Sequence, residues 1–308
     1  MAEEKERVGL ELGMGWLPDY PDFRDYAIEK KEVAPRLKRL GQKESVKAML
    51  TKVGVAEPTK ISIPGSVDLK DWCSQIENQE SLGSCTANAG VGLVEYYERR
   101  AFGRHIDASR LFLYKVTRNL LNWTGDTGAF LRTTMAAMVL FGVSPREHWP
   151  YVVTDFDKEP SSFCYAFAQN YQTIQYFRLD PPNTPKNLLL KRIKSLLAAG
   201  LPSMFGFTVF SSIGQVGNDG KIPYPCQGER ILGGHAIVAV GYDDEIEIEN
   251  TTGEAKTTGA LLIRNSWGTA WGNEGYGWLP YEYILEGLAI DWWLLLKNEW
   301  VDTKKFGL

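Results

Sequence analysis

Residues 78–87 read NQESLGSCTA and place a cysteine, Cys85, directly after a serine that suits the start of a helix. Ser84 is a favoured N-cap residue, and apolar side chains then recur at helical spacing until Gly103. Cys85 is therefore expected in the first turn, where unpaired backbone N–H groups and the helix dipole favour an anion. A lone cysteine is more often a small buried core residue, so these residues alone leave a structural and a reactive thiol both open.

Two segments far downstream contain the groups that an activated thiol needs. Residues 233–238 read GGHAIV and residues 263–268 read IRNSWG, so they supply His235 and Asn265. A thiol is a strong nucleophile only as the thiolate, which a helix N-terminus and a neighbouring imidazole stabilise at neutral pH. The imidazole needs a third group to fix its ring, and a carboxamide oxygen can do this. The chain thus offers one candidate for each of three roles.

These three segments together resemble the papain family of cysteine proteases. Gln79 precedes Cys85 at the spacing of the family's side chain that completes the oxyanion hole together with the cysteine N–H. Residues 234–242 resemble the strand that carries the family's histidine. Residues 265–277 resemble the segment that carries its asparagine, in which Trp267 would shield the Asn–His hydrogen bond from water.

The resemblance covers approximately residues 62–290 and implies an α+β, papain-like two-lobed fold. A helical left lobe carrying Cys85 and a β-barrel-like right lobe carrying His235 would have the active-site cleft between them. Residues 1–61 would form an N-terminal extension with a regulatory or prosegment role, and residues 62–308 the peptidase domain.

The hydrophobic periodicity predicts a matching order of elements. Helices are expected at residues 85–102, 108–122, 129–141 and 184–199, and strands at 171–178, 203–210, 235–242, 259–265 and 275–280. Helices first and strands later are typical of an α+β arrangement. A charged stretch over residues 33–53 is also expected to be helical.

The resemblance also implies a substrate-binding surface. Substrate strands would pair with Gly128-Ala129, which is similar to the family's glycine-rich wall with one glycine replaced. The alternative is that Gly128 only begins a helix, because glycine serves both uses. The remaining wall positions match Phe130, Leu131, Gly234 and Ala236. This surface predicts a hydrophobic preference two residues before the cleaved bond.

The chain departs from the family pattern near the candidate nucleophile. Leu82 stands where the family usually has a disulfide-bonded cysteine, and Thr86 replaces a residue that is usually aromatic. The interval from His235 to Asn265 is longer than in papain, and the acidic run over residues 243–258 predicts a solvated hairpin there. None of these changes removes a candidate catalytic group.

Composition narrows the classes of function. Of 308 residues, 44% are hydrophobic and 23% charged, and the net charge of −4 predicts neither a nucleic-acid nor a membrane partner. No Cys/His cluster has metal-ligand spacing, and no cofactor is expected. Four cysteines leave an odd number once Cys85 is assigned to catalysis, which favours free thiols in a reducing compartment. Residues 1–7 are charged and lack an apolar signal core, so a cytoplasmic location is expected.

The resulting prediction is a cysteine endopeptidase that acts on peptide or protein substrates through an acyl-enzyme intermediate, using Cys85, His235, Asn265 and Gln79. Two other classes are weighed against it: an inactive papain-like binding module, and another Cys-His acyltransferase such as a transglutaminase-like enzyme. The intact set of four residues argues against the first. A third member that is asparagine rather than aspartate argues against the second.

An aromatic and proline-rich stretch lies within the N-terminal extension. Its anchor residues are Trp16, Leu17, Pro18, Tyr20, Pro21, Phe23 and Tyr26. Such side chains lose little conformational entropy on docking, so the stretch is suited to lie along a groove and keep the enzyme latent. The alternative is that it packs permanently on one lobe and only completes the fold. The sequence leaves both open.

Overall fold

Most helices lie in the first half of the chain and most strands in the second. The computed structural model describes residues 12–22, 25–28, 33, 35–39, 42–172, 175–253 and 255–308. The helices are α1 Pro35–Arg39, α2 Val46–Lys52, α3 Cys85–Phe102, α4 Arg110–Leu120, α5 Leu131–Leu140, α6 Ser162–Ala168, α7 Lys186–Ala198, α8 Glu282–Leu285 and α9 Asn298–Asp302. The strands are β1 Ser66–Asp68, β2 Gln175–Arg178, β3 Ser203–Phe210, β4 Ile231–Glu249, β5 Lys256–Arg264, β6 Tyr276–Pro280 and β7 Ala289–Leu296.

Helix α3 is the central element of the molecule. Every residue from Cys85 to Tyr97 is buried, because α4 and α5 cover one side of the helix and β3 and β4 the other. The helix ends at Gly103, whose φ of 73° is the left-handed conformation that glycine adopts without a steric cost. At the other end Ser84 is the N-cap residue, as predicted, but its side chain accepts a hydrogen bond from the Asn88 side-chain amide and none from a backbone N–H of the first turn. Its hydroxyl also contacts the Tyr151 hydroxyl at 2.8 Å.

The strands form one antiparallel sheet in the order β2-β7-β3-β4-β5-β6, with β1 paired to β4. Within the described residues β2 and β6 end the sheet on opposite sides and do not pair, so the sheet is open and the barrel-like closure expected from the sequence is absent. The α+β class is confirmed. Register shifts between β4 and β5 near Gly241 and near residues 243–247 are β-bulges, which bend and twist a strand.

Most predicted elements are present with ends that differ by one to a few residues. The acidic run forms the expected hairpin, with Glu249 opposite Lys256. The strand β7 was not predicted, because its sequence AIDWWLLL is an apolar run interrupted only by Asp291 and shows no alternation of apolar and polar residues. Both of its tryptophans are fully buried. The helix expected over residues 33–53 is two short helices, α1 and α2.

Part of the N-terminal extension packs far from the start of α3. Met49 and Leu50 of α2 are fully buried, the Leu308 N–H donates to the Val53 carbonyl oxygen, and α2 contacts α9. Helix α9 in turn contacts α3 near Tyr97, which lies about 18 Å along the helix from Cys85 at the usual rise per residue. Residues 42–55 are therefore part of the molecular body at the end of α3 remote from its first turn.

None of the helices in the described parts of the chain is long and apolar enough to cross a membrane.

Trp300 joins the extension side of the core to α3, so truncating it should cost stability. Its ring stacks on Tyr97 at 4.7 Å between centroids and is 1% exposed. We expect Trp300→Ala to lower the free energy of unfolding by about 3–5 kcal/mol, as large cavities in aromatic cores do. Phe102→Ala, at a side chain that is 50% exposed, is the control and should change it by less than about 1 kcal/mol. Equal effects in chemical denaturation would contradict this account of the core.

Candidate active site

The first turn of α3 meets the middle of β4. Cys85 and His235 are both 0% exposed. The backbone N–H groups of Ala236, the residue after His235, and of Gly15 and Thr86 lie near enough to Cys85 to lower the pKa of its thiol, against the larger opposing effect of burial. Backbone N–H groups aimed at sulfur favour the thiolate. The fold therefore brings the two residues together although 150 positions, from 85 to 235, separate them in sequence.

The tautomer of His235 follows from its neighbours. The His235 Nε2 atom is 2.8 Å from the Asn265 Oδ1 atom, and that same oxygen accepts a hydrogen bond of 2.8 Å from the Ser266 N–H. Because the backbone donor fixes which end of the amide is oxygen, Nε2 must carry the proton and donate. The Nδ1 atom is then an unprotonated acceptor, and within the described residues it is buried with no hydrogen-bond partner. It is free to accept a proton.

Aromatic rings seal this pair from water. The Trp267 ring stacks on the His235 ring with 4.3 Å between centroids and an angle of 21° between planes. Phe207 approaches the imidazole edge-on at 6.0 Å. Asn265 is 2% exposed and Trp267 5% exposed. The shielding role that the sequence assigned to Trp267 is consistent with this geometry.

The Gln79 side chain is held at both ends. Its Oε1 atom accepts a hydrogen bond of 2.5 Å from the Ser266 hydroxyl, which leaves the amide nitrogen facing the first turn of α3. The Nε2 atom donates to the Leu82 carbonyl oxygen at 2.8 Å and to the Gly13 carbonyl oxygen at 3.0 Å. One N–H of Gln79 is thus used within its own loop, and the other is available to an acceptor in the cleft.

Polar contacts hold the loop before Cys85, in which Leu82 stands at the position of the family's usual disulfide-bonded cysteine. All four cysteines are free thiols. The Asp126 carboxylate accepts the Gly83 N–H at 3.0 Å and the Tyr114 hydroxyl at 2.5 Å. The Tyr151 hydroxyl donates to the Gln79 carbonyl oxygen at 2.8 Å and contacts the Ser84 hydroxyl. The loop is therefore tied at three points without a covalent bond.

Residues 12–17, which we call the cleft segment, lie across this site. The Gly13 carbonyl oxygen accepts from Gln79 Nε2 and also from the Trp267 indole N–H at 3.0 Å. The Ala129 N–H donates to the Gly15 carbonyl oxygen at 2.8 Å, and the Leu17 N–H donates to the Ala129 carbonyl oxygen at 3.1 Å. The Trp16 N–H donates to Gly234 at 3.2 Å. The cleft segment thus pairs with both walls beside Cys85.

Glycine is required where the cleft segment passes the loop before Cys85, residues 79–84. A Cβ atom at Gly15 would lie 2.0 Å from the Gly83 carbonyl oxygen, and one at Gly13 would lie 2.5 Å from the Glu80 carbonyl oxygen. Gly128 has a φ of 72°, and a Cβ there would lie 2.2 Å from the Gly15 oxygen. The alternative that Gly128 merely begins α5 is wrong, since that helix begins at Leu131.

Burial sets the protonation of the pair. Desolvation raises the pKa of Cys85 to about 11, against the smaller opposing effect of the surrounding backbone N–H groups. Desolvation lowers the pKa of His235 to about 4, and the hydrogen bond that its Nε2 donates to Asn265 only partly offsets this effect. With the cleft segment in place, the thiol and the imidazole are therefore both neutral at pH 7.

The sequence-predicted substrate residues divide into two groups. Gly128, Ala129 and Gly234 all contact the cleft segment. Ala236 contacts Cys85 instead, Phe130 packs against the Trp123 ring at 5.5 Å, and Leu131 is buried in the core.

The anchor stretch of the N-terminal extension is only partly buried. Trp16 is 5% exposed, whereas Tyr20 is 89% exposed and does not serve as an anchor. Pro18 and Pro21 are exposed as well. Phe23 lies outside the described residues.

Sequence reasoning missed Ser266, Asp126, Tyr151 and the buried Asp291, which accepts a hydrogen bond from Trp16. Only Ser266 adjoined a recognised motif, and nothing in the local sequence distinguished the other three.

The arrangement of thiol, imidazole and carboxamide agrees with comparison to known proteins. The model of the papain family of cysteine proteases matches residues 63–284. The chain belongs to this family. It is a papain-like cysteine protease, and the resemblance drawn from its sequence is confirmed.

Relatives of similar length occur in distant organisms. An uncharacterised peptidase C1-like protein of Acanthamoeba polyphaga mimivirus is 32% identical over 294 residues, which cover 93% of this chain and 87% of the relative. Cathepsin K of Gallus gallus is 26% identical, over 77% of this chain and 69% of its own. Among solved structures, xylellain, a cysteine protease from Xylella fastidiosa, has a TM-score of 0.70 and 31% identity, covering 92% of this chain and 96% of that chain.

The burial of Cys85 predicts the pH at which its thiolate appears. Because a pKa near 11 lies above neutrality, the thiol stays protonated at pH 7 and ionises only as the pH rises through the pKa. We expect the difference in ultraviolet thiolate absorbance between the full chain and Cys85→Ser to be absent at pH 7 and to grow above about pH 10. The same difference in a chain lacking residues 1–26 should already be present at pH 7. A thiolate signal from the full chain at pH 7 would contradict the burial argument.

Proposed function

We propose that this cysteine protease hydrolyses peptide bonds with Cys85 as nucleophile and His235 as general acid and base. The observation that carries the proposal is the unpartnered Nδ1 atom of His235, whose other nitrogen is committed to Asn265 beside the Cys85 thiol. Peptide or protein substrates follow from the family. Endopeptidase activity is part of the proposal, because Ala129 and Gly234 pair with the backbone of an extended internal segment, Gly15 to Leu17, as they would with the interior of a substrate chain.

The reaction begins with transfer of the Cys85 proton to His235 Nδ1, which gives a thiolate and an imidazolium. The thiolate attacks the carbonyl carbon of the peptide bond and forms a tetrahedral intermediate. His235 then donates its proton to the leaving amine, and the thioester acyl-enzyme remains. Water, deprotonated by His235, attacks the thioester and releases the acid and the free thiol. Asn265 keeps the imidazole in the required tautomer and orientation throughout.

The oxyanion that forms in both steps is assigned to Gln79 Nε2 and the Cys85 N–H. The support for Gln79 is that its second N–H, the one not bonded to Leu82, donates to a carbonyl oxygen of the cleft segment, that of Gly13. The Ser266 hydroxyl holds the other end of the amide, so the donor is fixed before substrate arrives. Preorganised donors of this kind stabilise developing charge without reorganisation in the transition state.

We expect Cys85→Ala to abolish turnover of a peptide library while the fold is retained, since a small side chain is replaced by a smaller one. His235→Ala should be nearly as damaging, and the double variant no worse, because the two residues act as one unit. Cys226→Ala, which removes a half-buried thiol elsewhere, is the matched control and should keep its activity. Turnover is measured with and without residues 1–26. Comparable turnover by Cys85→Ala would exclude the nucleophile assignment, and failure of a thiol-reactive epoxide to label Cys85 in either form would favour an inactive module.

The N-terminal extension, residues 1–61, is proposed to regulate the peptidase domain, residues 62–308, through its cleft segment. Support comes from competition for the same atoms. The N–H and carbonyl oxygen of Ala129 are both bonded to the cleft segment. The side-chain N–H of Gln79 that is not bonded to Leu82 donates to the segment as well. A substrate needs these groups, so the segment and a substrate exclude each other.

Desolvation strengthens the same argument. Under the segment the thiol and imidazole are neutral, since the pKa of Cys85 is raised to about 11 and that of His235 lowered to about 4. Removal of the segment admits water and lets the ion pair form. Residues 42–55 are assigned no part in this regulation, because they pack beside α9 at the far end of α3. The restraining role is thus assigned to the cleft segment, and permanent packing on the body of the protein to residues 42–55.

Displacing the cleft segment should raise activity. In Gly15→Ala the added methyl group would lie 2.0 Å from the Gly83 oxygen, so the segment has to leave its position. Gly65→Ala adds the same group where no atom lies within 4 Å and is the matched control. We expect Gly15→Ala and removal of residues 1–26 each to raise kcat/KM on a peptide substrate by at least ~10-fold over the full chain, with Gly65→Ala unchanged. A soluble truncated chain that is no more active than the full chain, or one that is insoluble, would mean that the segment is structural.

A further inference from the structure

Two backbone N–H groups bond into one polar cluster where the loop before Cys85 meets the wall that pairs with an extended chain. One belongs to Gly83, two residues before the thiol, and the other to Gly128, which precedes Ala129. The two backbones are in close contact, because a Cβ atom added to Gly83 would lie 3.3 Å from the Gly128 nitrogen. Two donors cannot bond to each other, so an acceptor has to stand between them.

Tyr114 and Asp126 supply the acceptors. The Gly128 N–H donates to the Tyr114 hydroxyl oxygen at 3.1 Å, and that hydroxyl donates to Asp126 Oδ1 at 2.5 Å. The Gly83 N–H donates to the same carboxylate, at 3.0 Å from Oδ1 and 3.1 Å from Oδ2. Both backbone donors therefore end on one carboxylate, Gly83 directly and Gly128 through a phenol. We call this chain of hydrogen bonds the Tyr114–Asp126 bridge.

Helix α4 fixes the phenol end of the bridge. Tyr114 is 0% exposed, and the guanidinium carbon of Arg118, one turn further along α4, lies 4.2 Å from the centre of its ring. Arg118 also donates to the Gly125 carbonyl oxygen at 2.5 Å, so the residue next to Asp126 is anchored to the same helix. Burial and the neighbouring Asp126 carboxylate raise the pKa of Tyr114, so its hydroxyl stays protonated and donates.

The carboxylate reaches this cluster from the surface. Asp126 is exposed, whereas Gly83 and Gly128 are buried. Water that took the place of the carboxylate would satisfy the same donors, but it is not attached to the chain and would not fix the separation of the two sides. Asp126 belongs to the same loop as Gly128, two residues before it. Its bond to Gly83 therefore ties the wall to the loop before Cys85.

The separation of the two sides matters because each carries a different part of the proposed reaction. The loop before Cys85 presents the thiol, whereas Ala129 holds an extended chain through its N–H and carbonyl oxygen. A peptide bound at the wall reaches the thiol only when the two sides are correctly spaced. Reaction requires atoms about 3–3.5 Å apart, and a misplacement of ~1 Å costs on the order of 10²-fold in rate.

We propose that Tyr114 and Asp126 are positioning residues, which set the distance between the Cys85 thiol and a substrate strand bound at the wall. The proposal rests on the proposed function, because it requires that Cys85 attacks a chain paired with Ala129. Neither side chain takes part in the chemistry. Both act through the two glycines whose N–H groups they bind.

Two reagents that differ in their need for the wall test the positioning. A peptidyl epoxide has to pair with the wall before it alkylates Cys85, whereas iodoacetamide needs only the thiol. Labelling rates are measured by mass spectrometry in full-length Gly15→Ala, whose cleft segment is displaced. We expect Tyr114→Phe and Asp126→Ala in this background each to slow the epoxide by ~10-fold or more and iodoacetamide by less than ~2-fold. Asp126→Asn, which keeps an oxygen that accepts from both donors, should retain most of the epoxide rate.

Tyr97→Phe is the matched control for the loss of a buried hydroxyl. The Tyr97 hydroxyl donates to the Pro202 carbonyl oxygen at 2.8 Å, and the residue lies about 18 Å along α3 from Cys85. This substitution should change neither labelling rate. Equal loss of both rates in Tyr114→Phe and Asp126→Ala would mean that they act on the thiol or on the fold. That result, or an epoxide rate that neither substitution changes, would overturn the proposal.

Amide hydrogen exchange tests the bridge apart from any chemistry at Cys85. In the full-length chain with its native cleft segment, Asp126→Ala should speed exchange of the Gly83 amide by ~10-fold or more, and Tyr114→Phe that of the Gly128 amide. Unchanged exchange at both glycines would refute the bridge. Labelling of Cys85 by neither reagent in the parent variant would refute the proposed function, and the exchange rates would still decide for or against the bridge.

Discussion

The pairing between Gln79 and Ser266 joins two segments that lie 187 residues apart in the chain, and the geometry of the site depends on it. The Gln79 N–H donates to the Ser266 carbonyl oxygen at 2.8 Å, and the Ser266 hydroxyl donates back to the Gln79 side chain. The Ser266 N–H meanwhile fixes the amide oxygen of Asn265, which orients His235. One residue therefore aligns Gln79, the proposed oxyanion donor on the helical side, with the imidazole of His235 on the sheet. A shift of Ser266 would displace the Gln79 amide and the His235 imidazole together, and no movement of Cys85 alone would restore the geometry.

The loop before Cys85 is held by hydrogen bonds and not by a disulfide. Asp126 and Tyr151 bind the loop through groups that are individually worth about 1 kcal/mol, or up to about 3 kcal/mol where a charge takes part. Together they restrain Gly83 and Ser84, the two residues before Cys85. Such restraint does not depend on the redox state of the surroundings, consistent with four free thiols. The bonded residues of the loop, Gln79, Gly83 and Ser84, are buried, so each bond lost would leave an unsatisfied group there and cost more than its own contribution.

Local patterns in the sequence predicted the parts of the structure whose causes are local. The start of α3 at Cys85, its end at Gly103 and the spacing of Gln79 follow from residues within a few positions of one another. Ser84 occupies the predicted N-cap position, but its hydroxyl makes no capping bond to the backbone and contacts Tyr151, 67 residues away, instead. The position of the Trp16 side chain was not predicted for the same reason, because its hydrogen-bond partner Asp291 is 275 residues away in the sequence. Strand β7 was missed because burial on both faces removes the alternation by which a strand is recognised. The open edge of the sheet depends on pairing partners, which single-sequence patterns do not specify.

The proposed regulation requires that one segment fit the cleft and still be able to leave it. Trp16 fits by shape, because its ring lies over Gly206 and Gly234, and its indole N–H donates to Asp291 Oδ2 at 3.1 Å. Burial raises the pKa of Asp291 to about 6, despite the opposing effect of Arg178, so the carboxylate is mostly ionised at pH 7. A hydrogen bond to an ionised acceptor is roughly twice as strong as one between neutral groups, so this contact adds to the fit of the ring. The contacts that the segment makes with Ala129 and Gly234 use backbone groups, which an extended substrate strand also has, so a substrate can replace them.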